Sequence, residues 1–490
     1  MSENQFVQAG SQGLVLNEAL LWEKGKAGRT AMSLPEAGVP SASLPADVAG
    51  EGPNWPDLCE LEVVRHYTRL STWNFGIDTG MYPLGSCTMK YNPKINEVMA
   101  ALPGFANAHP LLPASATQGA MQLMYELEQY LAEIVGLKAS CLQPGAGAHG
   151  ELCGMLMIAA YHRHHKTGKT KILMPDTAHG TNPATATMCG FSEIKVPLGP
   201  KGYMELETVK ALMADDVAGL MVTNPNTLGL FESELHAIID LVHQHGGLVY
   251  ADGANLNAIM GYADLGRMGV DVVHYNVHKT LSTPHGGGGP GAGPVAVSDT
   301  LAPYLPGPRI VKRGDGYEWE TNLPLSVGRL HGFYGQFGIL VRTYAYIMSM
   351  GKDLKKVSAL AVLNANYIKE KLKGVFDLPF DMPCMHECVF TDANQKKFHV
   401  STLDIAKRLI DMGYHPPTVF FPLVVNAAIM IEPTETESKE EIDAFIGAML
   451  QVAKEAETNP EILHQAPTMT KVRRLDETTA ARQPVLTGDM

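Results

Sequence analysis

The sequence predicts an α/β protein with a mostly parallel sheet in a large domain, followed by a smaller α/β domain. Three observations carry this: short apolar runs that alternate with helical stretches in mid-chain, polar or glycine-rich segments that end those runs, and a change of pattern after about Ala292. Alternation of that kind builds parallel strands covered by helices on both faces.

Residues 1–115 hold many Pro, Gly and Asn breaks with little periodicity, and read as an extended N-terminal arm with short helices. Arms of this kind often wrap a partner. From Met124, positions Leu127, Leu131, Ile134 and Val135 recur at helical spacing and stop at Gly136, which predicts a core-facing helix.

A large domain is expected over 116–372. Its apolar runs are Ala139 to Leu142, Lys171 to Met174, Gly219 to Val222, Leu248 to Ala251 and Val272 to Tyr275, with another strand at Pro294 to Val297. The segments that follow five of them are PGAGAHGE, PDTAHGTNPATA, TNPNTLG, ADGANLN and NVHKTLSTPHGGGGPGAG. Ligands of open α/β sheets bind beyond the carboxyl ends of the strands, so these segments are expected to converge on one site. Residues Val327 to Met350 read as largely helical, with Gly328, Gly332, Gly335 and Gly338 permitting close packing.

A small domain is expected over 373–465. Its last helix starts at a capping box of Ser438 and Glu441 and buries Ile442, Phe445, Ile446, Met449, Leu450 and Ala453. The tail over 466–490, with Arg473, Arg474 and Arg482, reads as a surface arm.

At 490 residues the chain is too long for one ordinary core. A net charge of -13 argues against nucleic acid, whose binding needs clustered Lys and Arg. The opening MSENQFVQAG has neither the basic nor the apolar stretch of a signal peptide, and no run reaches membrane-spanning length, so a cytoplasmic location is expected. Seven scattered cysteines suit reduced thiols rather than a disulfide framework. Cys384 and Cys388 flank His386, but no second ligand pair has zinc spacing, and no metal is expected.

Asp252 ends one predicted strand, and Lys279 lies just past a later one, 27 positions on. Pyridoxal phosphate needs a lysine amine to hold it and a carboxylate to keep its pyridine nitrogen protonated. Alone, a strand-end Asp is usually a cap and a loop Lys is usually solvated. Together with His278 before the lysine and a glycine-rich loop after it, the pair predicts a cofactor site. Small residues at Gly145, Ala146 and Gly147 join a strand to a helix and let backbone N–H groups approach a phosphate. A tight turn would look similar. His149 is then placed to stack on the ring, although a structural histidine at a helix start reads the same way. The glycines from Gly286 to Gly293 precede a strand rather than open a helix, which excludes a dinucleotide fingerprint.

With these residues the chain resembles the fold-type-I pyridoxal phosphate enzymes, and among them the P-protein of the glycine cleavage system, the second subunit of glycine dehydrogenase (decarboxylating). The resemblance rests on WNFGIDTGMYPLGSCTMKYNPK from Trp73 to Lys94, AHPLLP, QPGAGAHGE, AHGTNPATA, TNPNTLGLFE, ADGANLNAI, NVHKT, CMHE, IEPTETESK and VRRLDE. It implies decarboxylation of glycine and transfer of the aminomethyl group to the lipoyl group of H-protein. It also implies a separate first subunit in a two-plus-two heterotetramer.

Carried over by position, Lys279 is the Schiff-base lysine and Asp252 the partner of the pyridine nitrogen. His149 would cover the ring, with Gly145, Ala146 and Gly147 around the phosphate. The resemblance makes Asn226 a donor to the phenolic oxygen and sets Asn276 and His278 near the phosphate and the lysine. Asn276 stands where many of these enzymes carry Ser or Thr. His179 and Ser86 are candidates for the glycine and lipoyl side. An aminotransferase would need an arginine clamp, which is not assignable. A desulfurase would need a mobile cysteine, for which Cys87 is the candidate. A non-catalytic scaffold is the third reading, and an intact Lys279 with Asp252 argues against it.

Overall fold

A computed structural model describes residues 18–40, 42–50, 52, 54–285 and 291–486. The opening decapeptide and part of the glycine loop, Gly286 to Pro290, lie outside the described residues.

Seven strands form the main sheet: β1 (Ala139–Cys141), β2 (Lys171–Pro175), β3 (Ser192–Val196), β4 (Val217–Thr223), β5 (Leu248–Asp252), β6 (Val272–His274) and β7 (Val295–Val297). Their order is β1-β7-β6-β5-β4-β2-β3. Only β7 runs against its neighbours, pairing antiparallel with β1 and β6. Every residue of β4 and β5 is buried, as strands covered on both faces require. Edge strand β3 is largely exposed, and its polar Ser-Glu-Ile-Lys-Val sequence carries no apolar run to announce it.

The helix expected from Met124 begins earlier and spans Gln118–Ile134. The Gln118 side chain anchors that start by donating to the carbonyls of Ala114 and Tyr317. Leu127 and Leu131 are fully buried beneath it, each contributing about 2 kcal/mol of hydrophobic stabilisation. Gly136, at φ +71°, ends the turn in the left-handed region.

Helix Gly147–His164 lies close against β5, β6 and β7. A Cβ at Gly154 would come within 2.8 Å of the Tyr250 ring, and one at Gly150 within 2.4 Å of the Gly293 carbonyl. Glycine at both positions therefore sets the helix against the sheet and fixes where its first turn points.

Between Val327 and Met350 the helix is confined to Phe337–Met350. Of the glycines predicted to help helix packing, Gly338 lies in the helix, whereas Gly328, Gly332 and Gly335 sit in irregular chain, Gly328 and Gly335 at φ +94° and +113°, where a helix cannot continue. A hairpin of β8 (Arg309–Arg313) and β9 (Gly316–Glu320) precedes this region.

Helix Leu354–Leu372 contributes Val357 to the large core and Ala365, Ile368 and Leu372 to the second core. There a three-stranded antiparallel sheet, β10 (Cys388–Thr391), β12 (Ala428–Ile431) and β11 (Thr418–Val419), packs with helices Thr402–Asp411 and Lys439–Thr458. In the last helix Ser438 accepts from the Glu441 amide, and Ile442, Phe445, Ile446 and Met449 are buried. Leu450 is 38% exposed and Ala453 only partly buried; Val452 and Ala456 face inward instead.

Part of the arm joins the second sheet, Leu84 bridging Ile431. The tail is also tied down. Arg474 donates to Asp404 at 2.7 Å, and both carboxylate oxygens of Asp411 accept from the Thr468 amide. No described helix is long and apolar enough to cross a membrane.

Candidate active site

The carboxyl ends of β4, β5 and β6 and the start of helix Gly147–His164 surround a cavity of about 150 Å³. Ser86, Gly147, Glu151, His179, Asp252, Asn276 and Lys279 all line it. The expected lysine, carboxylate and helix start are thus brought together, with Asn276, His179 and Ser86 beside them.

Asp252 is the last residue of β5 and is 6% exposed. One of its oxygens accepts from the Ala254 amide at 2.9 Å and lies 3.7 Å from Nε2 of His274. His274 in turn contacts the Asn276 amide nitrogen at 2.9 Å and the Tyr250 hydroxyl at 2.5 Å. Burial pushes the His274 pKa down, while Asp252 opposes the shift. Lys279 lies on the short helix Val277–Thr280 after β6, and its amine donates to the Ser86 carbonyl at 2.7 Å.

The helix at Gly147 begins without a capping side chain, so its first amides have no intrahelical partner and suit an anion. Close backbone approach there depends on glycine: a Cβ on Gly147 would meet the Asn276 side-chain oxygen at 2.1 Å. One on Gly293 would meet the Ala146 carbonyl at 1.8 Å. Gly145 and Ala146 lead into this turn without lining the cavity. The Glu151 Oε1 and Thr223 Oγ1 atoms of lining residues are buried without a partner. An amine, a carboxylate and a bare helix start around unpaired polar atoms fit a phosphorylated pyridine ring.

Three other predicted residues lie off the cavity wall. His149 turns its ring to accept from the Gly145 amide at 3.2 Å and to face His331 at 6.3 Å. Asn226 is fully buried; its amide donates to Gly202 and Glu232, and its oxygen accepts from Leu228 and Leu230. That saturated set locks the turn after β4, and Thr227, one residue on, reaches the cavity instead. His278 packs edge-on against His285 at 4.8 Å, and burial pushes its pKa down to about 3.

Sequence reasoning gave no role to Glu151, Lys90, Glu387 or Glu432. Glu151 is 2% exposed, accepts from the Thr181 hydroxyl at 2.8 Å, and is pushed by burial to a pKa of about 7. Lys90 is buried; it donates to the Thr280 carbonyl beside Lys279 and pairs with Glu435 at 2.7 Å. Both carboxylates of the Glu387–Glu432 pair sit within CMHE and IEPTETESK, which pointed to these segments without separating ligands from packing residues. With His386 they form the one group of metal-ligand type found among the described residues. Cys384 and Cys388 are buried free thiols. Cys87 is part-buried, 3.8 Å from the His285 ring nitrogen.

A mostly parallel seven-stranded sheet that delivers a lysine and a carboxylate to one cavity beside a bare helix start defines the class: a fold-type-I pyridoxal-phosphate-dependent enzyme. A crystal structure of glycine decarboxylase (P-protein) of the glycine cleavage system in inhibitor-bound form matches with a TM-score of 0.71 at 20% identity, covering 84% of this chain and 93% of that one. A cysteine desulfurase from Escherichia coli matches with a TM-score of 0.59 at 16% identity, covering 77% and 95%.

The family is decided by sequence. The glycine cleavage system P-protein model matches residues 34–326, and the glycine dehydrogenase C-terminal domain model matches 357–470. The probable glycine dehydrogenase (decarboxylating) subunit 2 of Alkaliphilus oremlandii is 54% identical over 473 residues, covering 95% of this chain and 97% of the relative. A protein of the same description from Oceanobacillus iheyensis is 53% identical over 477 residues, covering 96% and 98%. The chain belongs to the glycine cleavage system P-protein family.

Proposed function

We propose that this chain is the lysine-bearing subunit of a two-chain glycine dehydrogenase (decarboxylating). It removes the carboxyl group of glycine and passes the aminomethyl group to the lipoyl group of H-protein. The single observation that carries this reading is the convergence of Lys279, Asp252 and the helix start at Gly147 on one cavity, in a chain of this family.

Pyridoxal 5'-phosphate, when bound there, supplies the electron sink for the charge left as carbon dioxide departs. Lys279 holds the cofactor through its amine. Asp252, fixed by the Ala254 amide, keeps a proton on the pyridine nitrogen. The first-turn amides at Gly147 and Ala148 receive the phosphate, with the Asn276 side chain beside Gly147. His179 lines the cavity and His149 does not, which favours His179 for the ring face. Asn226 serves the site indirectly, by shaping the turn that presents Thr227. Glu151, raised by burial to about 7, can hold or release a proton next to Asp252 near neutral pH.

The partner is the first subunit, in a two-plus-two assembly, and the chain works in the cytoplasm. The arm residues Trp22, Met32, Leu34, Val39 and Trp55 expose apolar surface of the kind such a partner covers. Release of labelled carbon dioxide from carboxyl-labelled glycine tests the function, with both subunits and lipoylated H-protein present. Release that needs all three components is expected; equal release from other amino acids would point to a different activity on this fold.

A further inference from the structure

Strands β10 and β12 pair with Cys388 opposite Ile431. The next residues outward, Glu387 and Glu432, are each 0% exposed. Glu387 Oε2 accepts from the Ser86 amide at 2.8 Å. Glu432 Oε1 accepts from the Thr88 hydroxyl at 2.5 Å and from Asn257 at 3.2 Å. The second oxygen of each carboxyl, and both ring nitrogens of His386, have no partner among the described residues.

Both arm residues, Ser86 and Thr88, donate to these carboxylates, and the turn they belong to holds the lysine. Ser86 has φ +64°, a left-handed conformation costly for a side-chain-bearing residue. Its amide is taken by Glu387 and its carbonyl by the Lys279 amine. Thr418 fixes the preceding carbonyl, that of Gly85, at 2.6 Å. The second sheet therefore determines where the Ser86 carbonyl points, and that carbonyl determines where the amine rests.

We propose that Glu387 is a positioning residue for Lys279, acting through Ser86. The inference rests on Lys279 being the cofactor lysine, but its test does not need the cofactor.

The probe is formaldehyde with a mild reductant, applied to the cofactor-free two-subunit complex across pH, with methylation of Lys279 read by peptide mass spectrometry. Glu387→Ala is expected to raise Lys279 labelling at pH 7 about tenfold, because the amine is freed from the Ser86 carbonyl that anchors it. Glu387→Gln, whose amide oxygen still accepts from Ser86, should stay within about twofold of wild type.

Unchanged labelling in Glu387→Ala overturns the positioning role. Should that variant not fold, Ser86→Pro, which removes the amide that Glu387 accepts, serves instead, and unchanged Lys279 labelling in it overturns the role. Failure of Lys279→Ala to abolish cofactor attachment would sink the functional reading while leaving these labelling results interpretable.

Discussion

The Lys279 amine donates to the carbonyl of Ser86, 193 residues earlier, across 2.7 Å. A residue of the N-terminal arm thereby becomes part of the lysine's setting. The same arm segment is bound to the second sheet through Leu84, Gly85, Ser86 and Thr88.

That relationship predicts an asymmetry between two substitutions at Ser86. Glycine adopts positive φ freely, whereas proline is locked near −65° and lacks the amide that Glu387 accepts. Ser86→Gly should keep glycine-dependent carbon dioxide release within about twofold, and Ser86→Pro should lower it on the order of a hundredfold through misplacement of the amine. Steady-state assays of the two variants check this. Equal activity in both would show that the Ser86 turn does not matter.

Gly147→Ala places a Cβ 2.1 Å from the Asn276 side-chain oxygen, at the end of the cavity proposed to take the phosphate. Its affinity for pyridoxal phosphate should fall about tenfold or more, about 1.4 kcal/mol. Gly447→Ala, in open space on helix Lys439–Thr458, should leave affinity unchanged and stabilise the fold by about 0.5–1 kcal/mol. Cofactor titration by fluorescence and a melting curve separate the two effects.

His179 and His149 are distinguished by where they point. Removal of a ring that stacks on the cofactor costs about 1 kcal/mol, roughly a fivefold to tenfold loss of affinity. His179→Ala should show that loss, and His149→Ala should bind as wild type. The reverse order would return the ring-facing role to His149.

Glu151 and Glu432 should each lose a stabilising contribution as pH rises from about 4.5 to about 7, since burial pushes both up to about 7 against 4.5 for an ordinary carboxyl. At these two sites the folded chain then holds protons that the unfolded chain has released, so each step up in pH removes part of their contribution. Melting temperatures of Glu151→Gln and Glu432→Gln, taken relative to wild type, should therefore shift upward between pH 5 and 7. A difference that stays constant with pH would mean that both carboxyls ionise normally.

What could be read in advance follows from how each residue meets its neighbours. The central strands announce themselves because both faces are buried and the residues are almost all apolar. Edge strand β3 and hairpin β8–β9 are half-exposed and polar, and left no such trace. Glycines 328 to 338 suggested packing, but positive φ at two of them breaks the chain out of a helix. That Lys279 and Asp252 meet at one cavity could be read in advance, because each follows an apolar run and parallel strands bring such ends together. That His149 and Asn226 lie off its wall could not, since a loop sequence does not fix which way a ring or an amide turns. Glu387 and Glu432 are adjacent only through strand pairing between segments 45 positions apart, and nothing local marks either as near the lysine.

The most direct test of the account is borohydride reduction of the cofactor-loaded complex, followed by mass spectrometry of its peptides. The cofactor's mass should appear on the peptide containing Lys279, and Lys279→Ala should retain none while Asp252→Asn still does. Reduced cofactor attached to any other lysine of either subunit would contradict it.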